Sequence, residues 1–372
     1  MTTYGHHLYH HQEETTMHLT IARQDLARVL TNVGRVIESR KTMPILSNVL
    51  LEADADGLRV TGTDLDIIAT DRAVANTEEA GSICVDAKLL ADISKKAGGD
   101  ISISLEADRL VVKSGRSRFA LPTLAAADFP TLDGGKFDAT FDIDLAALLA
   151  PVSFAMSTEE TRYYLNGVFI HLQEDGDQFI RAASTDGHRL SRHQMAYTGE
   201  DAFKGVIVPR KAVGVVPKGT VTVSVSEAKI RIAAGDFVLT SKLIDGTFPD
   251  YQRVIPTGND KIVTVDRDAF MKAADRVATV SSEKGRAVRL SIAPGAVNFT
   301  VNNADAAATD EIEAEYGGEP IEIGFNAAYL RDLFGVFPSG PVTIAIADGG
   351  SPGLFKSAGF EGLLLVGMPM RA

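Results

Sequence analysis

Between Arg23 and Ile37 the apolar residues recur at helical spacing. On a wheel turned about 100° per residue, Leu26, Val29, Leu30, Val33 and Ile37 fall on one side. Gln24, Arg28, Thr31, Arg35 and Glu38 fall on the other. The spacing predicts an amphipathic helix with one buried face and an outward face carrying Arg28 and Arg35. The same stripe returns at Phe270, Ala273, Ala274 and Val277, with Lys272 and Arg276 on the polar side. A third version, Leu145 to Ala155, is interrupted by Pro151. An interior proline there removes a backbone donor and kinks the helix.

Between these helices the period drops to two. Ile101 to Leu105, Val221 to Val225, Leu290 to Ile292 and Val297 to Val301 alternate apolar and polar residues. Such strands have one dry and one wet face, as in antiparallel sheet. Asp56-Gly57, Asp175-Gly176 and Gly349-Gly350 supply turn signals between strands.

The pattern also repeats at long range. Leu19-Thr20-Ile21, Phe141-Asp142-Ile143 and Val263-Thr264-Val265 open equivalent strand-then-helix segments at intervals of 122 residues. A second element recurs at Val85-Asp86-Ala87-Lys88-Leu89-Leu90, Val208-Pro209-Arg210-Lys211-Ala212-Val213 and Phe325-Asn326-Ala327-Ala328-Tyr329-Leu330. In it an apolar strand residue precedes a helix start, with Asp86 and Asn326 as N-caps and Pro209 at a first helical position. Thr63-Asp64 returns as Thr185-Asp186, and Phe129-Pro130 as Phe248-Pro249. The predicted architecture is α+β: three tandem modules of ordinary domain size, each with helices on one face of antiparallel sheet. The divisions fall at 17–138, 139–260 and 261–372. Residues 1–16 carry His6, His7, His10 and His11 without hydrophobic periodicity and read as a tag or disordered leader, with the natural start near Met17.

Composition narrows the chemistry. The chain is 45% apolar and 23% charged, as in globular proteins, and its net charge is −12. An overall acidic chain is not built to adhere to nucleic acid everywhere, so the placement of its basic residues matters more than their number. The single cysteine, Cys84, excludes an internal disulfide and lies in an apolar strand-like run, where burial is expected. A phosphate-binding loop and a dinucleotide fingerprint are both absent from the sequence. His188 and His193 lack metal-ligand spacing and read as satisfied loop histidines. Glu159-Glu160 and Asp64/Asp66 read as solvated surface. Neither a cofactor nor a metal is expected.

Several blocks match a known family in order. They are Thr61-Gly62-Thr63-Asp64-Leu65, Ser114-Gly115-Arg116-Ser117-Arg118-Phe119, Ala126-Ala127-Asp128-Phe129-Pro130 and Arg162-Tyr163-Tyr164-Leu165-Asn166-Gly167. Thr185 to Leu190, Val208-Pro209-Arg210-Lys211, Thr240-Ser241-Lys242-Leu243, Phe248-Pro249-Asp250-Tyr251 and Met368-Pro369-Met370-Arg371 continue the series. From about Met17 to its end the chain resembles the bacterial DNA polymerase III beta subunits, the replicative sliding clamps.

The resemblance implies a head-to-tail homodimer closed into a ring, with sheets outside and helices lining the hole around sequence-independent duplex DNA. It implies a non-catalytic processivity factor, cytoplasmic and nucleoid-associated, with no membrane contact. The polymerase III catalytic subunit, the clamp loader, other polymerases and repair proteins would dock through short linear motifs. Matched positions place the peptide cleft at Leu165, Thr185, Gly187, His188, Arg189, Leu190, Pro249, Arg253, Val254, Val366, Met368 and Met370, edged by Arg162, Asn326, Tyr329 and Arg371. DNA contacts are expected at Arg40, Lys41, Tyr163 and Tyr164. The wheel adds Arg28, Arg35, Lys88 and Lys272. The ring interface is expected at Phe119 and Leu121 against Thr279 and Val280, where relatives often carry a large apolar pair on the Thr279 side. Two other readings make different predictions. A metal-dependent hydrolase on the same scaffold would bind Mn²⁺ or Zn²⁺ stoichiometrically, and a scaffold unrelated to DNA would form no ring.

Overall fold

The computed structural model describes residues 16–38, 43–132, 135–173, 178–280, 287–302 and 305–371. The expected contacts Arg40 and Lys41, and the turn at Asp175-Gly176, lie outside the described residues.

Among the described residues, six helices follow the predicted pattern. The first three are α1 (Arg23–Gly34), α2 (Ala87–Lys96) and α3 (Leu145–Leu149), and the others are α4 (Arg210–Val213), α5 (Arg267–Ala278) and α6 (Ala327–Gly335). α1, α3 and α5 each follow an opening strand: His18–Ile21, Ala139–Ile143 and Lys261–Asp266. α2, α4 and α6 follow Gly81–Asp86, Val206–Pro209 and Ile321–Asn326. The caps explain the starts. Asp86 accepts from the Leu89 N–H (2.7 Å), Asp144 from Ala147 (2.9 Å), Asp266 from Ala269 (2.8 Å) and Asn326 from Ala328 (2.9 Å).

Four details depart from the sequence reading. α1 ends at Gly34, so Val36 rather than Ile37 fills the buried position after it. α3 is cut to five residues before Pro151, and the chain resumes as a 3-10 turn at Ser153–Ala155. Pro209 caps α4 from outside instead of occupying its first turn, and α4 is a single turn. His193 sits in the strand Arg189–Ala196, not in a loop.

The chain forms two compact units, residues 1–135 with 231–241 and residues 136–230 with 242–372. In the first, α1 and α2 cover one face of an antiparallel sheet. Leu26, Val29, Leu30 and Val33 of α1 join Leu51, Val60, Val85 and Ile103 in its core. The strand Phe237–Lys242 adds to this sheet by pairing with Ile67–Ala73 (Leu239 opposite Ala69). Cys84 is fully buried there, and burial pushes its thiol up to about 12, as expected of a packing cysteine.

In the second unit, eight strands run continuously from Val206–Pro209 to Lys261–Asp266. The join is made by the last strand, Leu363–Gly367, which pairs with both Arg189–Ala196 and Gly353–Lys356. A separate four-stranded sheet (287–326) packs with α5 and α6 around Phe270, Phe299 and Phe334. The Phe270 and Phe334 rings stack 3.9 Å apart.

Candidate partner-binding site

The site grows from a four-residue turn. Thr185 Oγ1 accepts from the Gly187 N–H (3.0 Å) and donates to the Arg189 carbonyl (2.8 Å). Asp186 Oδ1 accepts from the N–H groups of His188 (2.9 Å) and Arg189 (3.0 Å). These side chains substitute for backbone partners, which is why Thr and Asp hold such a turn. The turn needs φ +89° at Gly187, and a Cβ there would meet Arg162 Nη1 at 2.8 Å.

Arg162 is fixed by a bidentate pair with Glu159, both contacts 2.7 Å. The arginine holds the Glu159 carboxyl below its ordinary range. Arg189 is clamped more completely. It bonds Asp186 (3.0 Å), Asp332 of α6 and the Phe154 carbonyl (3.2 Å), and its guanidinium lies 4.7 Å from the Tyr329 ring centre. His188 stacks on the same Tyr329, with ring centres 5.8 Å apart. A charge this enclosed is tolerable because every side of it is satisfied.

Beside the turn is an apolar cavity of about 240 Å³. Leu165, Leu190, Val254 and Val366 form much of its wall, Met368 stands at its mouth, and Thr185, Gly187, Arg189 and Pro249 complete it. The final strand places two of these residues by register, because Leu190 pairs opposite Val366. The chain end is then held by bonds from Met368 N–H to the His188 carbonyl (2.8 Å) and from Met370 N–H to the Gly324 carbonyl (2.9 Å). Met368 remains 42% exposed. A pre-formed apolar recess with a flexible thioether at its lip suits a hydrophobic side chain of a partner.

The expected cleft residues therefore divide. Nine line the cavity. Arg162, His188, Arg253, Asn326, Tyr329, Met370 and Arg371 do not, although Arg162, His188 and Tyr329 brace the turn. The cavity also includes Asp250 and Tyr251, absent from the expected set. Tyr251 is 4% exposed and its hydroxyl hydrogen-bonds His171 Nε2 (2.8 Å), while His171 Nδ1 donates to the Leu172 carbonyl (2.8 Å). Burial raises the Tyr251 hydroxyl pKa. The Phe248-Pro249-Asp250-Tyr251 block was the available signal.

The basic positions have different surroundings. Arg28 pairs with the fully buried Asp71 (3.1 Å), a partner that the helical wheel could not reveal. Arg35 and Lys88 line one groove between α1 and α2, together with Lys95. Lys272 is exposed on α5. Tyr163 is exposed and meets Tyr164 edge-on at 5.8 Å. Of the interface positions, Phe119 is 40% exposed, but Leu121 is only 7% exposed and packs into the core of its own unit. Thr279 is exposed and Val280 is partly covered against the α5 core. His193 is buried and bonded to the Leu148 carbonyl (3.1 Å). Among the described residues, no three His, Cys, Asp or Glu side chains gather as a metal site requires, and no helix is long and apolar enough to cross a membrane.

Three repeats of paired helices on antiparallel sheet, with this pocket where the second and third repeats share a sheet, define a DNA clamp. Models of the DNA polymerase III beta subunit match in order: the N-terminal domain at 17–133, the central domain at 142–250 and the C-terminal domain at 252–371. The beta sliding clamp of Caulobacter vibrioides is 45% identical over 371 residues, covering 95% of this chain and all of that protein. That of Escherichia coli is 36% identical over 368 residues, with the same coverage. Solved structures agree. The Bartonella birtlesii sliding clamp bound to griselimycin superposes with a TM-score of 0.92 at 43% identity, over 96% of this chain and all of that one. The Caulobacter crescentus clamp superposes at 0.90 with 44% identity and the same coverage. The chain belongs to the DNA polymerase III beta subunit family, the beta sliding clamps of DNA replication.

Proposed function

We propose that two copies of this chain close head to tail into a ring around duplex DNA, slide along it, and hold the replicative polymerase and other DNA-processing proteins at the template. The full-length match of all three modules to sliding clamps carries this reading. The part played is that of an accessory processivity factor without catalytic chemistry, working at the nucleoid. Retention comes from topology. Contacts to phosphate need only be weak and sequence-independent, which suits a few basic side chains such as Arg35, Lys88 and Lys272 on a net-acidic body. Arg40, Lys41, Tyr163 and Tyr164 are the other proposed DNA contacts.

Partners dock through short segments whose hydrophobic anchor enters the cavity beside Leu190 and Met368. The cavity's apolar wall and polar margin support this reading. The polymerase III catalytic subunit, the clamp loader and repair proteins are the proposed users of this site. The ring closes through Phe119 of one copy against the Thr279-Val280 segment of the next, so that unlike ends meet heterologously. The exposed Phe119 supports the first half of that contact.

Small-angle scattering on protein lacking residues 1–16 tests the assembly. A mass twice that of the shortened chain, with a hollow-ring distance distribution, is expected. A monomer at every concentration up to the highest soluble would overturn the ring.

A further inference from the structure

Along the strand Arg189–Ala196, Leu190, Arg192 and Gln194 share one face. Ser191 and His193 turn the other way and bond the carbonyls of Pro151 (2.9 Å) and Leu148 (3.1 Å) on the helix side. Cross-strand register places Arg181 opposite both Gln194 and His171. It places Arg192 opposite Ala183 and Leu364. The face that begins with the apolar cavity at Leu190 therefore continues to two arginines. Tyr251 lies at the boundary, with its ring in the cavity and its hydroxyl on His171.

Both arginines are half-buried, and both are served by neutral oxygens. Gln194 Oε1 accepts from Arg181 Nε (3.1 Å) and from Arg192 Nη1 (2.7 Å) at once. Arg181 Nη2 adds Gln173 Oε1 (2.6 Å), and Arg192 Nη1 adds the Gly362 carbonyl (3.4 Å). Among the described residues neither makes an ion pair, although Arg72, Arg162, Arg189 and Arg276 all do. Burial, and after it the neighbouring Arg181, lower the Arg192 pKa. Two adjacent cations thus share one amide oxygen and have no carboxylate partner among the described residues.

We propose that the partner groove extends past Tyr251 onto this cationic shelf, where Arg181 and Arg192 receive a carboxylate carried by the bound segment. The proposal rests on the pocket reading above and adds a selectivity to it: segments with an acidic residue near the hydrophobic anchor bind in preference to neutral ones. Arg192 is two residues beyond Leu190, about 7 Å at strand rise, so the acid stands roughly two extended residues from the anchor.

The test uses synthetic octapeptides with adjacent leucine and phenylalanine anchors. One pair carries Glu or Gln two residues before the anchor, and a second pair carries them two residues after it. Each is titrated calorimetrically against the wild-type protein, Arg192→Gln and Arg181→Gln, with thermal melts to check that the variants fold. In one pair the Glu peptide is expected to bind the wild type about 10-fold more tightly than its Gln counterpart, the lower end of what one charge-assisted contact contributes. That advantage should shrink to under twofold in either variant, with Gln-peptide affinity unchanged. Equal binding of Glu and Gln peptides to the wild type in both pairs overturns the shelf and leaves the pocket standing. Failure of every peptide to bind the wild type overturns the pocket, and the shelf with it. A variant that loses Glu and Gln peptides equally shows a packing role for that arginine and also overturns the shelf.

Discussion

Leu65 and Gly187 occupy the same step of the same turn in two modules, at φ +82° and +89°. Around Leu65, Thr63 Oγ1 accepts from the Leu65 N–H (3.1 Å) and donates to the Ile67 carbonyl (2.9 Å), and Asp64 Oδ1 accepts from Asp66 and Ile67. The bonds around Gly187 have the same pattern, 122 residues later. The turn is thus specified by its Thr-Asp pair, and the left-handed residue follows from it. Glycine adopts that conformation freely, whereas leucine is strained there. Replacing Leu65 with Asn, which tolerates positive φ, should stabilise the protein by about 0.5–1 kcal/mol. Gly187→Ala should destabilise it by about 1–2 kcal/mol. Urea denaturation midpoints check both, and a shift of opposite sign at Leu65 would remove the strain argument.

Met368 is the cleanest probe of the pocket. It stands at the mouth, and its backbone is fixed by the bond to His188. Met368→Ala should weaken binding of a hydrophobic partner peptide about 5- to 10-fold, or roughly 1–1.4 kcal/mol, with an unchanged melting temperature. Leu190→Ala is a poorer test. Leu190 is buried with Phe248, Leu364 and Val366, so its truncation should cost about 2–4 kcal/mol of stability along with binding. Calorimetric titration and thermal melts on the two variants separate these effects.

The three-module architecture was legible because it depends on local signals: periodicity of 3.6 or 2, capping residues and repeated turns. The stripe of α5 shows this well, since Phe270, Ala273, Ala274 and Val277 are all buried. What stayed hidden depends on residues distant in sequence. Nothing in the helical wheel could show that Arg28 reaches Asp71, 43 residues away. Matching Phe119 and Leu121 to the family's interface positions gave no warning that Leu121 would be claimed by its own core. The cavity residues came from matched blocks instead of patterning, and Tyr251 was missed although its block had been recognised. Its aromatic ring reads as ordinary core until the strands beneath it are assembled.

Arg28 and Lys88 should behave as opposites. The Asp71 carboxylate is fully buried and takes bonds from Arg28 (3.1 Å) and Asn32 (2.7 Å). Arg28→Leu leaves that charge short of its cation and should cost about 2–3 kcal/mol of stability. Lys88→Ala should leave stability within about 0.5 kcal/mol and weaken duplex binding uniformly across sequences. Combined with Arg35→Ala, it should reduce the slope of log affinity against log salt by about 2, roughly 0.9 for each phosphate no longer neutralised. Anisotropy titrations over a salt series measure that slope, and an unchanged slope would remove this groove from the DNA-contact set.

Retention of this protein on DNA by topology, not by affinity, has a direct test. The direct measurement loads it onto nicked circular duplex with a clamp loader and ATP, raises the salt until phosphate contacts are screened, and follows the protein by gel filtration before and after one restriction cut. A topological link gives co-elution with the intact circle and release once the circle is opened. Equal retention on circular and linear DNA, or equal loss from both, would contradict it.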